Sequence, residues 1–184
     1  DGFVRWFKAA DFAPAGQLKL GEDADNIRVD ARSNQVMVGY GSGALAILDG
    51  ASGQMLSEIK LPAHPESFQL QSRGTRVFVN TPDAKQIAVV DRTEQRQVAT
   101  WTMKGASRNF RMAFDEDSKL LFVVYRSPPR LAVFDTIQGS IVGELPTCGD
   151  ADDVFSMRNG SVYSSSVGRG SSPSSNGAEP LSTR

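Results

Sequence analysis

An all-β fold of repeated four-stranded antiparallel units is predicted by three features of the sequence. Three segments end alike, LAILD (45–49), IAVVD (87–91) and LAVFD (131–135), and their aspartates fall 42 and then 44 residues apart. Each keeps company with three other short runs that are rich in β-branched and aromatic residues or alternate apolar with polar. No segment sustains a helical period.

In chain order, each unit opens with an alternating run: NIRVD (26–30), SFQLQ (67–71) and NFRMAFD (109–115). A second run follows as VMVGY (36–40), VFVNT (77–81) and LLFVVY (120–125), and the aspartate-ended segment is the third. MLSEIKL (55–61), VATWTM (98–103) and IVGELP (141–146) supply the fourth. Between the runs stand DGASGQ (49–54), SRG (72–74), DEDSK (115–119) and DTIQG (135–139), the residues that turns demand. A four-stranded antiparallel sheet recurring at this period is the blade of a β-propeller.

Blades are expected at 21–62, 63–104 and 105–147, with 1–20 the second half of a preceding blade and 148–163 the start of a further one. FVRWFK (3–8) matches LAILDG in place, and GQLKL (16–20) matches SEIKL. A propeller closes on about four to eight blades, so the sequence predicts an incomplete ring from a larger protein. From residue 164 to 184 serine dominates and strands are no longer expected, as in a low-complexity tail. With one choice of codons, a shifted frame through 165–175 reads VGGEGFIAVF, close to VGYGSGALAIL (38–48), so a reading-frame error is the alternative to a linker.

The 20 basic and 21 acidic residues leave no charge surplus to hold nucleic acid, and no run is apolar enough for a membrane span. DGFVRWF at the start lacks the layout of a signal peptide. Cys148 is the single cysteine, so no internal disulfide, CxxC zinc site or CxxCH haem attachment exists in this chain. His64 is the single histidine, which rules out a histidine-rich copper or zinc cluster.

The blade pattern of VFVN, the turn TPDAKQ, the strand IAVVDR and the strand VATWTM resembles the YVTN-type, or YncE-like, β-propeller repeat family. The resemblance covers residues 1 to about 163, although the tetrapeptide YVTN itself is absent. It implies a repeat protein of the periplasm or the cell exterior. Similar blades also carry quinoprotein dehydrogenase subunits, the haem-d1 domain of nitrite reductase and the propeller of nitrous oxide reductase, so the fold alone does not select an activity.

GEDADN (21–26), AHPES (63–67), GASRN (105–109) and CGDADD (148–153) share one position, the loop leading into the innermost strand. In a propeller these loops converge on the channel mouth. The candidate ligand residues are therefore Asp23, Asp25, His64, Glu66, Arg108, Asn109, Asp150, Asp152 and Asp153. Oxygen donors from several loops suit a hard cation, and calcium is the candidate, although DADD lacks the spacing of a calcium loop. The competing expectation is that these carboxylates accept backbone N–H groups in tight turns.

His64 reads as a loop residue, with no GxSxG elbow to accompany it, and Cys148, beside three carboxylates, as a buried or inert thiol. Arg126 and Arg130 flank SPP (127–129), where the prolines shape a strand connection in preference to an anion site. Trp6, Phe68, Phe78, Trp101, Phe110, Phe114, Phe122 and Phe134 fall on strands and are expected to fill the space between blades. GYGSG (39–43) lies in a hairpin and precedes no helix, so it is no phosphate loop.

No catalytic residue emerges. The sequence thus favours a non-catalytic binding scaffold for a protein or small molecule, with no identified cofactor beyond the calcium candidate. The alternative is a propeller enzyme or redox domain, a metal-assisted hydrolase or a quinoprotein, cytochrome-d1 or nitrous-oxide-reductase-like module with key ligands in other blades.

Overall fold

In the computed structural model the described residues are 1–157 and 161–166. Of the tail expected from residue 164, residues 164–166 end the last strand and those from 167 onward lie outside the described residues, as do the side chains of Phe110 and of residues 164–166. The chain divides into two compact units, Asp1–Thr100 and Trp101–Arg184.

In the first unit, β1 (Phe3–Phe7) and β2 (Pro14–Lys19) form a two-stranded sheet. A four-stranded sheet follows in the order β3 (Asp25–Asp30), β4 (Gln35–Tyr40), β5 (Ala44–Asp49), β6 (Met55–Lys60). The next sheet is β7 (Ser67–Leu70), β8 (Arg76–Thr81), β9 (Gln86–Asp91), β10 (Arg96–Thr102), whose last residues cross into the second unit. That unit holds β11 (Ser107–Asp115), β12 (Leu120–Ser127), β13 (Pro129–Asp135), β14 (Ser140–Pro146), and the pair β15 (Ala151–Ser156), β16 (Val162–Ser166). Strands adjacent in sequence are adjacent in each sheet, and the pairings from β3 to β6 and from β11 to β14 are antiparallel throughout. No helix among the described residues is long and apolar enough to cross a membrane.

The middle strands of each sheet are buried on both faces, as in ALAIL of β5 and IAVV of β9, whereas β3 alternates exposed and half-buried residues. Two cores in the first unit explain this. Val38, Tyr40, Ala46 and Leu48 pack with Val4, Trp6 and Leu18, while Met37, Leu45, Ile47 and Ile59 pack with Phe68, Val77, Val79 and Val90. In the second unit, Phe122, Val124, Leu131 and Val133 pack with Ala151, Val154 and Val162. A fully buried Leu, Ile or Phe contributes about 1.5–3 kcal/mol, against about 1 kcal/mol net for one ladder hydrogen bond. Face packing therefore holds the sheets side by side.

Phe68, Phe78, Trp101, Phe122 and Phe134 are buried, and Trp101 stacks on Phe134 at 5.8 Å between ring centroids. Trp6 packs beside the core and Phe114 is half-buried.

The repeating aspartates have a local cause. Asp49 Oδ1 accepts the N–H groups of Ala51 and Ser52 at 3.1 and 2.7 Å, Asp91 those of Thr93 and Glu94 at 2.8 and 3.0 Å, and Asp135 those of Ile137 and Gln138 at 2.7 and 2.9 Å. Each carboxylate thus caps the turn after its strand. Gly53 and Gly139 then take left-handed conformations, φ 70° and 72°, and donate their N–H groups to Asp49 O and Asp135 O, both at 2.8 Å.

Candidate functional site

The loop into β3 is shaped by residues that tolerate left-handed backbone: Asp23 has φ 50° and Asn26 φ 49°. Between Asp25 and Ile27 the pairing with β4 shifts register, leaving Asn26 as the extra residue of a bulge. The Asn26 N–H donates to Asp25 Oδ1 at 2.7 Å, and its amide Nδ2 donates to the Glu66 carbonyl at 2.5 Å. One residue therefore fixes the Asp25 carboxylate through its backbone and ties the loop to that of the next sheet through its side chain. Register shifts recur at Asn109–Arg111 and Ala151–Asp153, so the bulge is a repeated device at the start of inner strands.

The loop into β7 is seated by close approach. A Cβ on Gly39 would lie 2.8 Å from Pro65 Cγ, so only glycine lets Pro65 rest on β4 without displacement. The Glu66 N–H donates to Asn80 O at 3.1 Å. Gly41 joins both loops through its two flanking peptides: its N–H donates to Glu22 O at 2.9 Å, and its carbonyl lies 2.6 Å from His64 Nδ1. A carbonyl only accepts, so Nδ1 carries the proton and, in the neutral form of the ring, Nε2 presents its lone pair.

Asp25, His64 and Glu66 bring one donor atom each to within 4.8 Å of one another. Asp25 is exposed and the other two are half-buried. Asp23 Oδ2 stands 3.7 Å from His64 Nε2. Four of the nine candidates thus meet in one place. An imidazole whose far nitrogen donates to a backbone carbonyl, set among carboxylates, is a donor set suited to a divalent cation.

The other five lie in the second unit. Asp152 pairs with Arg126 at 2.9 Å and Asp150 approaches the same guanidinium at 3.9 Å. Asp153 Oδ1 accepts the Val154 N–H at 2.9 Å, the turn role weighed against ligand binding. Arg108 has φ 55°, and Asn109 is buried within β11. Arg130 makes a two-pronged bond to Glu144 at 2.9 and 3.0 Å. Cys148 is exposed, so of the expected buried or inert thiol the burial is corrected; the preceding Thr147 hydroxyl lies 3.8 Å away. Gly41, Asn26 and Gly39 were missed as parts of the site. The glycine-rich hairpin and the asparagine at a strand start were their signals.

No protein-family model matches the chain, and comparison with the curated proteins returns no match either. Among solved structures, hydrazine synthase of Kuenenia stuttgartiensis superposes with a TM-score of 0.79 at 16% identity over 89% of this chain. The fold is that of a β-propeller, built of four-stranded antiparallel blades. This chain spans 49% of that structure's length. At such identity the likeness is one of fold, and the propeller's site chemistry rests on its own residues.

Proposed function

We propose that the chain is part of a non-catalytic propeller repeat protein of the YVTN type, serving as a binding scaffold that holds its ligand at the loops leading into the inner strands. The observation that carries this is the meeting of Asp25, His64 and Glu66 from two successive loops, with His64 aimed by Gly41. The first ligand is a divalent cation. Calcium takes six to eight oxygens, whereas one imidazole with two or three carboxylates suits zinc or manganese better. A cation so placed joins two blades and offers its open positions to an acidic or carbonyl group of a protein or small-molecule partner. Placement in the periplasm or outside the cell belongs to the same proposal, on the repeat pattern alone.

The test is thermal unfolding with zinc, manganese and calcium chloride, since a ligand of the folded state alone raises its stability. Zinc or manganese raises the midpoint, calcium does so less, and His64→Ala abolishes the effect. An unchanged midpoint with all three at millimolar concentration would sink the cation site. The open coordination positions also allow a metal-assisted hydrolase, the second reading. Zinc-dependent turnover of an activated ester or phosphate ester, lost in His64→Ala, would decide for it.

A further inference from the structure

One constellation occurs twice, on β4–β6 and on β12–β14. Tyr40 stands opposite Ala44, and Glu58 opposite Ala46. Tyr125 stands opposite Arg130, and Glu144 opposite Ala132, in the same register. Residues two apart along a strand share a face, so each tyrosine lies on one face with its glutamate and with the residue between them. That middle residue differs: Ala44 in one sheet, Arg130 in the other.

The difference redirects the glutamate. Beside Ala44, Glu58 accepts the Tyr40 hydroxyl. Beside Arg130, Glu144 instead takes Arg130 Nη1 on both of its oxygens, at 2.9 and 3.0 Å. The Tyr125 hydroxyl is left buried with no hydrogen-bond partner among the described residues, on a residue 1% exposed. A buried hydroxyl left without an acceptor is disfavoured. Burial, and then the charge of Glu144, push the Tyr125 phenol upward, so that carboxylate lies within electrostatic reach of it. Glu144 thus has two seats: the one it occupies on Arg130, and one on Tyr125 that matches the seat Glu58 fills on Tyr40.

We propose that Glu144 is the latch of a carboxylate-binding site: a ligand's carboxylate takes Arg130, and Glu144 moves to the Tyr125 hydroxyl. Arg130 is reached from solvent, its side chain 26% exposed. Charge limits the ligand. Arg126 is matched by Asp152 at 2.9 Å and Asp150 at 3.9 Å, so Arg130 alone meets the incoming group, and one carboxylate replaces another there. The exchange keeps a guanidinium–carboxylate contact and adds a charge-assisted bond to Tyr125, and this difference is what lets the ligand shift the latch. The cation site plays no part in it.

The test is NMR of the 184-residue chain labelled at tyrosine Cζ, where Tyr40 marks the position of a phenol bonded to glutamate. Sodium acetate, or in a parallel series tetraglutamate, moves the Tyr125 signal toward that of Tyr40, and sodium chloride at equal ionic strength does not. Movement with acetate assigns the site to small acids, and movement with the peptide alone assigns it to acidic protein segments. Arg130→Gln shows the moved signal with no carboxylate added, and Glu144→Ala never shows it. Tyr125→Phe weakens carboxylate binding, followed at the Arg130 side chain, by about tenfold. A Tyr125 signal unmoved by both probes in the unaltered chain, one unmoved in Arg130→Gln, or one moved equally by chloride would overturn the proposal.

Discussion

The Gly41 carbonyl lies 2.6 Å from His64 Nδ1, and this single contact leaves Nε2, 3.7 Å from Asp23 Oδ2, as the ring nitrogen open to a ligand. Because the Gly41 N–H also holds Glu22 O, the hairpin of one blade positions loops of two. The donor set is thus built from backbone before any cation arrives, which is how a weakly charged chain can hold one.

Asn26 is the joint between the two loops. Asn26→Gly keeps the left-handed conformation and loses the bond to Glu66 O, while Asn26→Ala loses both. We expect a cost of about 1 kcal/mol for the glycine variant and about 2 kcal/mol for the alanine variant in urea titrations. Zinc affinity should fall by severalfold in each. Equal stability of the two variants would contradict the conformational part.

The Asp30–Arg92 pair links adjacent sheets with little exposure of either side chain. Arg92→Ala leaves a carboxylate and the carbonyls of Gln71 and Gly74 short of a donor, while Thr75 O keeps the backbone N–H of residue 92, and should cost about 3 kcal/mol of unfolding free energy. The double change Asp30→Leu/Arg92→Met should cost less than the single one. A loss below 0.5 kcal/mol for Arg92→Ala, on the order seen for exposed pairs, would show the contact to be a surface one.

Stability should fall in acid through the turn aspartates. Backbone bonds from Ser52, with its hydroxyl, hold the Asp49 carboxyl below its ordinary 3.8, and the Thr75 hydroxyl with the Glu94 N–H does so for Asp91. The folded state then binds fewer protons than the unfolded chain, so the contribution is complete above 3.8 and lost as pH falls through the lower folded values. Asp49→Asn and Asp91→Asn keep a cap acceptor but remove the titration. Denaturant midpoints measured from pH 6 to pH 2 should drop less steeply in these variants.

At the alkaline end two tyrosines act, Tyr40 and Tyr125. Burial, then the hydrogen bond to Glu58 and its charge, push the Tyr40 phenol up to about 12 from 10.0. The fold favours the neutral phenol, so stability is complete below pH 10 and lost as pH rises through about 12. Tyr125 shifts the same way, from burial and Glu144. An ultraviolet titration of Tyr40→Phe should lose one phenol ionising near 12. Loss of one ionising at 10 would contradict the assignment.

The strand repeat was legible because a middle strand buried on both faces reads as an apolar run, and its aspartate marks the end through the turn it caps. The site was half legible. Recurrence put Asp23, Asp25, His64 and Glu66 in equivalent loops, yet the same rule gathered Asp150 and Asp152, whose charges face Arg126 instead. Composition could not separate the two cases, since a carboxylate facing a cation site and one facing an arginine look alike in sequence. Nor could it show Asn26 reaching Glu66, 40 residues on, or Arg92 reaching Asp30 across 62 residues. Such contacts exist only once the sheets stack.

The most direct test of the central claim is calorimetric titration of zinc into the chain and into His64→Ala. Binding of one zinc per chain with micromolar or tighter affinity, weakened at least tenfold in His64→Ala and in Asp25→Asn, is the predicted result. Absence of saturable binding, or equal binding by His64→Ala, would contradict it.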